Sequence, residues 1–190
     1  MQQFTDTRNA STPDEVWFVE HDPVYTLGLN GDTAHIHSSG DIEVVATDRG
    51  GQVTYHGPGQ LVAYILFDVK RLGIAIRPLV MLLEQAVIDA VAEYGILAHG
   101  RRDAPGVYVE DRKLGAIGLR IRRGCTYHGI AVNVNMDLRP FSQINPCGMA
   151  GLQVTQLAQE CAVSSVTQFR QDLLQSLRRI MAGYSPVAES

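Results

Sequence analysis

A cysteine held between a proline and a glycine is the residue in this chain best placed to do chemistry. In Ile144-Asn145-Pro146-Cys147-Gly148-Met149-Ala150-Gly151 the thiol stands on a fixed turn, outside any periodic apolar face. Structural cysteines normally lie buried in strands or helices, and Cys125 fits that description. A thiol on an exposed turn is available as a nucleophile. The backbone N–H groups of Cys147 and Gly148 are expected beside it, free to face an acyl oxygen. Thiolate chemistry also needs a base or a positive charge to lower the cysteine pKa from about 8.5. Lys113, His56 and His128 can supply it, and the sequence does not rank them.

Two further segments carry unusual composition. Arg49-Gly50-Gly51-Gln52-Val53-Thr54-Tyr55-His56-Gly57-Pro58-Gly59-Gln60 holds four glycines, which let backbone approach a ligand closely. It lacks the Gly-Lys-Ser/Thr ending of a phosphate-cradling loop, and a turn-rich connection with a satisfied histidine reads it equally well. In Asp111-Arg112-Lys113-Leu114-Gly115-Ala116-Ile117-Gly118, Lys113 opens a strand of small residues. A lysine there is ordinarily a solvated turn residue; a functional one must face a partner across the sheet. Gly124-Cys125-Thr126-Tyr127-His128-Gly129-Ile130-Ala131 follows on the neighbouring strand. Cys125, His128, Cys147 and Cys161 offer a rival use as metal ligands, but no Cys-x-x-Cys or His-x3-His pair supports it.

The elements that must position these groups are legible as periodicities. Val16–Val19 and Glu43–Thr47 read as short strands, with a Gly- and Asp-rich loop from Gly28 to Gly40 between them. Leu61, Ala63, Ile65, Phe67 and Val69 alternate as one face of a strand. Leu79, Leu83, Ala86, Val87, Ala90, Val91 and Tyr94 form a helical stripe, with Pro78 in its first turn and Gly95 as its stop. Gly106–Glu110, Lys113–Ile121 and Tyr127–Asn135 read as a meander turned by Asp111-Arg112 and by Arg122-Arg123-Gly124. Ser165 with Gln168 caps a last helix whose buried face is Phe169, Leu173, Leu177 and Ile180, ended by Gly183. The order predicts one α+β (mixed α/β) domain over residues 1–190, not a doubly wound nucleotide-binding fold.

Bulk properties exclude several classes. With 190 residues, 45% hydrophobic and 19% charged, the chain can bury a sizeable core without staples. A net charge of −4 gives no general attraction to nucleic acid or anionic membrane. A local basic surface would matter if the partner were an acidic carrier protein. Three cysteines with no paired framework predict a reducing compartment. The polar start has no signal or transit character, and no run of about 18 apolar residues exists, so the cytoplasm is the default.

Taken together, RGGQVTYHGPGQLVAY, RKLGAIGLRI, YHGIAVNVNMDL and INPCGMAG, in that order and spacing, resemble the lipoyl(octanoyl) transferase family. The likeness runs from about Thr5 to the final helix. It implies a fold like that of lipoate–protein and biotin protein ligases, with a mixed β-sheet packed against helices. Members usually carry a further strand and helix before the segment matching Phe4-Thr5-Asp6, so a sheet edge or part of the pocket cover is expected to be absent. The resemblance implies ping-pong acyl transfer through a thioester on Cys147, with Lys113 lowering the thiol's pKa. The donor would be octanoyl-acyl carrier protein. The acceptors would be lysines on the lipoyl domains of 2-oxoacid dehydrogenases and on the glycine cleavage H protein. The implied acyl pocket falls on Arg49, Gly50, Gly51, Gln52, Val53, Thr54, Tyr55 and His56, on Ala116, Ile117 and Gly118, and on Gly129, Ile130 and Ala131. The small residues there are expected to leave a slot between strands for a saturated chain. No metal, nucleotide or other cofactor is implied.

Three other readings compete. An ATP-dependent lipoate–protein ligase would need no nucleophilic cysteine. A non-catalytic module binding lipoyl domains or acyl carriers would leave Cys147 with ordinary reactivity. A thiol hydrolase would pair Cys147 with His56 or His128 as base.

Overall fold

Strands form where β-branched and aromatic residues cluster between turn residues, and helices where apolar residues recur every three to four. The computed structural model describes residues 1–162 and 165–184. In chain order its elements are α1 (Gln2–Thr7), β1 (Glu15–Val19), β2 (Val24–Leu27), β3 (Glu43–Ala46), β4 (Val53–His56), β5 (Gln60–Leu66), α2 (Val69–Leu72), α3 (Ile76–Ala92), β6 (Ala98–Gly100), β7 (Gly106–Val109), β8 (Arg112–Arg122), β9 (Cys125–Asn133), α4 (Leu157–Glu160) and α5 (Val166–Gly183).

Six strands make an antiparallel sheet in the order β1-β5-β9-β8-β7-β6. A second sheet, β3-β2-β4, is mixed, with β2 parallel to β3 and antiparallel to β4. The expected α+β class holds, and the mixed pairing belongs to the small sheet. The meander is β7-β8-β9. Its second turn, Arg123-Gly124, has both residues left-handed (φ 55° and 82°), the backbone twist a two-residue hairpin prefers.

One face of the large sheet is covered by α3 and α5, which also pack on each other. Leu61, Ala63 and Ile65 of β5 and Ile130 and Val132 of β9 meet Leu79, Leu83, Val87, Phe169 and Leu173 there. Each fully buried side chain of that kind stabilises by about 1.5–3 kcal/mol, so this core fixes the sheet. A second core joins Tyr25, Val53 and Tyr55 of the small sheet to Met136, Phe141 and Ile144. It anchors the segment that runs straight into Cys147.

The alternation expected to Val69 stops at Leu66, because Asp68 turns the chain by accepting from the N–H groups of Lys70 and Arg71 and capping α2. Short α1, β2, β4 and β6 had no sequence period long enough to find. Val53–His56, read as loop, is a strand paired with β2.

Candidate active site

The side of the large sheet away from the helices faces the small sheet, and a pocket of about 270 Å³ lies between them. That is below the roughly 300–1,000 Å³ of sites for drug-sized ligands and suits a short chain. Strand alternation decides what lines it. Val62 and Tyr64 of β5 pair with Ala131 and Gly129 of β9, which pair in turn with Ala116 and Gly118 of β8; these six form the floor. Thr54 and His56, with Val24, Thr26 and Val45, form the opposite wall, while Arg49, Gly50, Gly51 and Gln52 border it.

Most of the expected pocket residues are brought together, with corrections that follow from the same alternation. Tyr55 does not line the pocket: its ring packs edge-on against Phe141 in the second core, 5.5 Å between centroids. Val53, Ile117 and Ile130 border the pocket, but their side chains belong to the cores on the far faces. Gly118 and Gly129 line the pocket beside Ala116 and Ala131, and their missing side chains also let backbone approach: a Cβ at Gly118 would stand 2.8 Å from the Gly50 carbonyl, and one at Gly129 would stand 1.9 Å from that of Ala63.

At one end of the pocket stand Lys113 and Cys147. Lys113 is only 4% exposed, so the solvated-turn reading fails. The segment Gln153–Thr155 runs beside it, with hydrogen bonds Lys113 N–H to Gln153 O (2.8 Å) and Thr155 N–H to Lys113 O (2.9 Å). Pairing with β7 slips by one residue here, a bulge of the kind that re-aims a side chain. The side chain passes over Gly106, whose φ is 146° and where a Cβ would stand 2.6 Å from Lys113 Cε. Lys113 Nζ then donates to Pro105 O (3.0 Å) and to Cys147 Sγ (2.9 Å).

Cys147 is exposed and lies in the left-handed region (φ 59°, ψ 17°), which costs a non-glycine residue of order 1–3 kcal/mol. The turn is held by neighbours the sequence did not announce. Asn145 N–H donates to His35 O (2.8 Å), and the Asn145 carboxamide meets the rings of His37 (3.0 Å) and His35 (3.4 Å). Both histidines come from the loop after β2, too far along the chain to signal the contact. Of the two N–H groups expected at an acyl oxygen, that of Gly148 is bonded to Asn145 O (2.9 Å). Only the Cys147 N–H has no partner among the described residues.

The pocket's other polar groups are fixed elsewhere. His56 Nδ1 lies 2.7 Å from Gln60 Oε1, while Gln60 Nε2 donates to Tyr55 O and Asn133 Oδ1. The Gln60 oxygen must therefore accept, and Nδ1 carries the imidazole proton. Burial, with the charges of Arg49, His21 and His128, outweighs that hydrogen bond and depresses the His56 pKa to about 4. His21 Nε2 meets the Tyr64 hydroxyl at 2.6 Å, and burial lowers its pKa also. His128 Nε2 meets Asp48 Oδ1 at 2.8 Å, with burial again the main cause of a lowered pKa. Burial acts to raise Asp48, but hydrogen bonds from His128, Tyr127 and Gln2 hold it down at about 2. Among the described residues Arg49 has no carboxylate partner; it bonds Thr26 and Gly50 O, and burial lowers it to about 10, so it stays charged at neutral pH. Lys113, and neither histidine, is the group hydrogen-bonded to the thiol.

Cys125, Cys147 and Cys161 sit on separate elements. No group of three or more His, Cys, Asp or Glu side chains suited to a metal assembles among the described residues. No described helix is long and apolar enough to cross a membrane.

Known proteins are similar to this chain in sequence and in fold. A Shewanella octanoyltransferase (strain MR-7) is 53% identical over 184 residues, covering 97% of this chain and 84% of that protein. A bipartite lipoate protein ligase from Thermoplasma acidophilum superposes with a TM-score of 0.78 at 16% identity, covering 95% of this chain and 76% of that one. The biotin protein ligase of Aquifex aeolicus superposes at 0.55 and 17% identity, covering 67% and 52%. At those identities the two structures speak to the fold alone. The family model of the lipoyl protein ligase A/B catalytic domain matches residues 1–178, and the chain belongs to that family.

Proposed function

We propose that this octanoyltransferase carries its acyl group on Cys147 and passes it to a lysine of a lipoyl domain, as a step in protein lipoylation. The observation that supports this best is the 2.9 Å contact between Lys113 Nζ and Cys147 Sγ at the end of an apolar-floored pocket. The donor is octanoyl-acyl carrier protein. The acceptors are lipoyl domains of 2-oxoacid dehydrogenases and the glycine cleavage H protein, in the reducing cytoplasm.

The Cys147 thiolate, paired with the Lys113 ammonium, attacks the donor's carbonyl carbon while the Cys147 N–H faces the developing oxyanion. The new carbon–sulfur bond forms as the carrier's breaks, and the departing thiolate takes a proton from Lys113. The neutral Lys113 amine then accepts a proton from the acceptor lysine as its nitrogen attacks the thioester. The amide forms, the Cys147 thiolate leaves, and the starting ion pair returns. No ATP is consumed, because a thioester-to-amide transfer runs downhill.

Transfer from octanoyl-carrier to a purified lipoyl domain, followed by mass in ATP-free buffer, tests the reading. An octanoyl increment on the lipoyl domain is the expected result. A strict need for ATP with free octanoate would replace it by the ligase reading.

A further inference from the structure

Behind the Lys113–Cys147 pair, on the outer face of α3, runs a groove that the mechanism does not use. Arg77, Met81, Glu84 and Ile88 form one wall, and Arg101 and Arg102 stand on the other. Arg77 and Arg102 are exposed and make no ion pair among the described residues. Arg101 pairs with Asp103 at 2.7 Å and lies over the Tyr108 ring, 5.2 Å from its centroid. The groove's own carboxylate, Glu84, is turned inward to accept from Gly106 N–H at 2.7 Å. On a chain of net charge −4 this is a locally cationic surface with an apolar residue, Met81, 55% exposed within it.

The groove is joined to the thiol by short links. Lys113 Nζ lies over the same Tyr108 ring at 5.3 Å, and Pro105, whose carbonyl holds Lys113, also lines the groove. A partner seated there is separated from Cys147 by the 101–105 segment.

We propose that this groove docks the acidic surface of the carrier protein that delivers the acyl thioester. The proposal rests on the octanoyl-transfer reading. Complementary charge raises the encounter rate and sets the carrier's orientation, while the acyl chain is gripped by the separate pocket.

The test compares wild type with the double variant Arg77→Glu/Arg102→Glu, using octanoyl-carrier protein and the small thioester octanoyl-pantetheine as donors. Cys147 acylation from the carrier is expected to fall by about tenfold or more in kcat/KM and to lose much of its salt dependence. Acylation from octanoyl-pantetheine stays within about twofold of wild type. An unchanged carrier reaction overturns the proposal, and so does an equal loss with both donors, which would mean a damaged fold. Deacylation of preformed acyl-enzyme by a lipoyl domain is measured beside it; a loss confined to that half-reaction would assign the groove to the acceptor and overturn the proposal too. Failure of wild type to be acylated by either donor would instead overturn the transfer reading itself.

Discussion

Lys113→Met removes one charge and leaves nearly all else in place. The backbone bonds to Gln153 and Thr155 do not depend on the side chain, and methionine keeps an apolar stem beside Tyr108. Unit charges 2.9 Å apart attract by about 5.7 kcal/mol at an effective dielectric of 20 and about 1.4 kcal/mol in bulk water. Cys147 is exposed while Lys113 is buried, so the working value lies between, about 2–4 kcal/mol. If that stabilisation belongs to the reactive ion pair, the variant acylates about 30- to 1,000-fold more slowly. Rapid-quench acylation with octanoyl-pantetheine at pH 7, read as protein mass, measures it directly. A variant rate within about threefold of wild type would refute the claim that this contact activates the thiol.

Two other perturbations follow from the geometry. Ala131→Leu fills the pocket floor beside Val62 and Ala116, taking the room of two to three methylenes worth about 0.8 kcal/mol each. Octanoyl transfer should fall about 15- to 60-fold relative to butanoyl in competition kinetics, and an equal loss for both chains would mean the pocket does not hold the acyl group. His56 has a native pKa depressed to about 4, below its unfolded value near 6.5. The unfolded chain therefore binds the extra proton first, and stability present above pH 6.5 is lost as pH falls toward 4, by up to about 1.4 kcal/mol per unit. His56→Asn keeps a donor to Gln60 and should flatten urea-unfolding stability over that window. His21 and His128, shifted the same way, leave a residual slope, and an unchanged slope would contradict the buried neutral imidazole.

What was legible in the sequence was local or periodic. The α3 and α5 stripes and the β7-β8-β9 meander appear, because 3.6- and 2-residue periods and turn residues encode them within a few positions; the first turn falls on Glu110-Asp111 instead of Asp111-Arg112, and β9 runs over Cys125–Asn133 instead of Tyr127–Asn135. The strand Val53–His56 was hidden by the glycines around it, and with it the rule that sends Thr54 and His56 to the pocket and Val53 and Tyr55 to a core. β5 did hold an unused signal: Val62 and Tyr64 are apolar on the face opposite the helix-covered stripe, as expected of a strand buried on both sides. Cys147 and Lys113 stood out by residue type and motif. Their ranking over His56 and His128 needed the 2.9 Å contact. The supports at His35, Asn145, Pro105 and Gly106 are long-range or conformational, and no spacing encodes them.

Whether Cys147 carries the acyl group is read from intact-protein mass after brief exposure to octanoyl-carrier protein, for wild type and Cys147→Ala. One octanoyl increment is expected on wild type and none on the variant. An adduct on Cys147→Ala, or octanoylation of a lipoyl domain by that variant at the wild-type rate, would contradict that role.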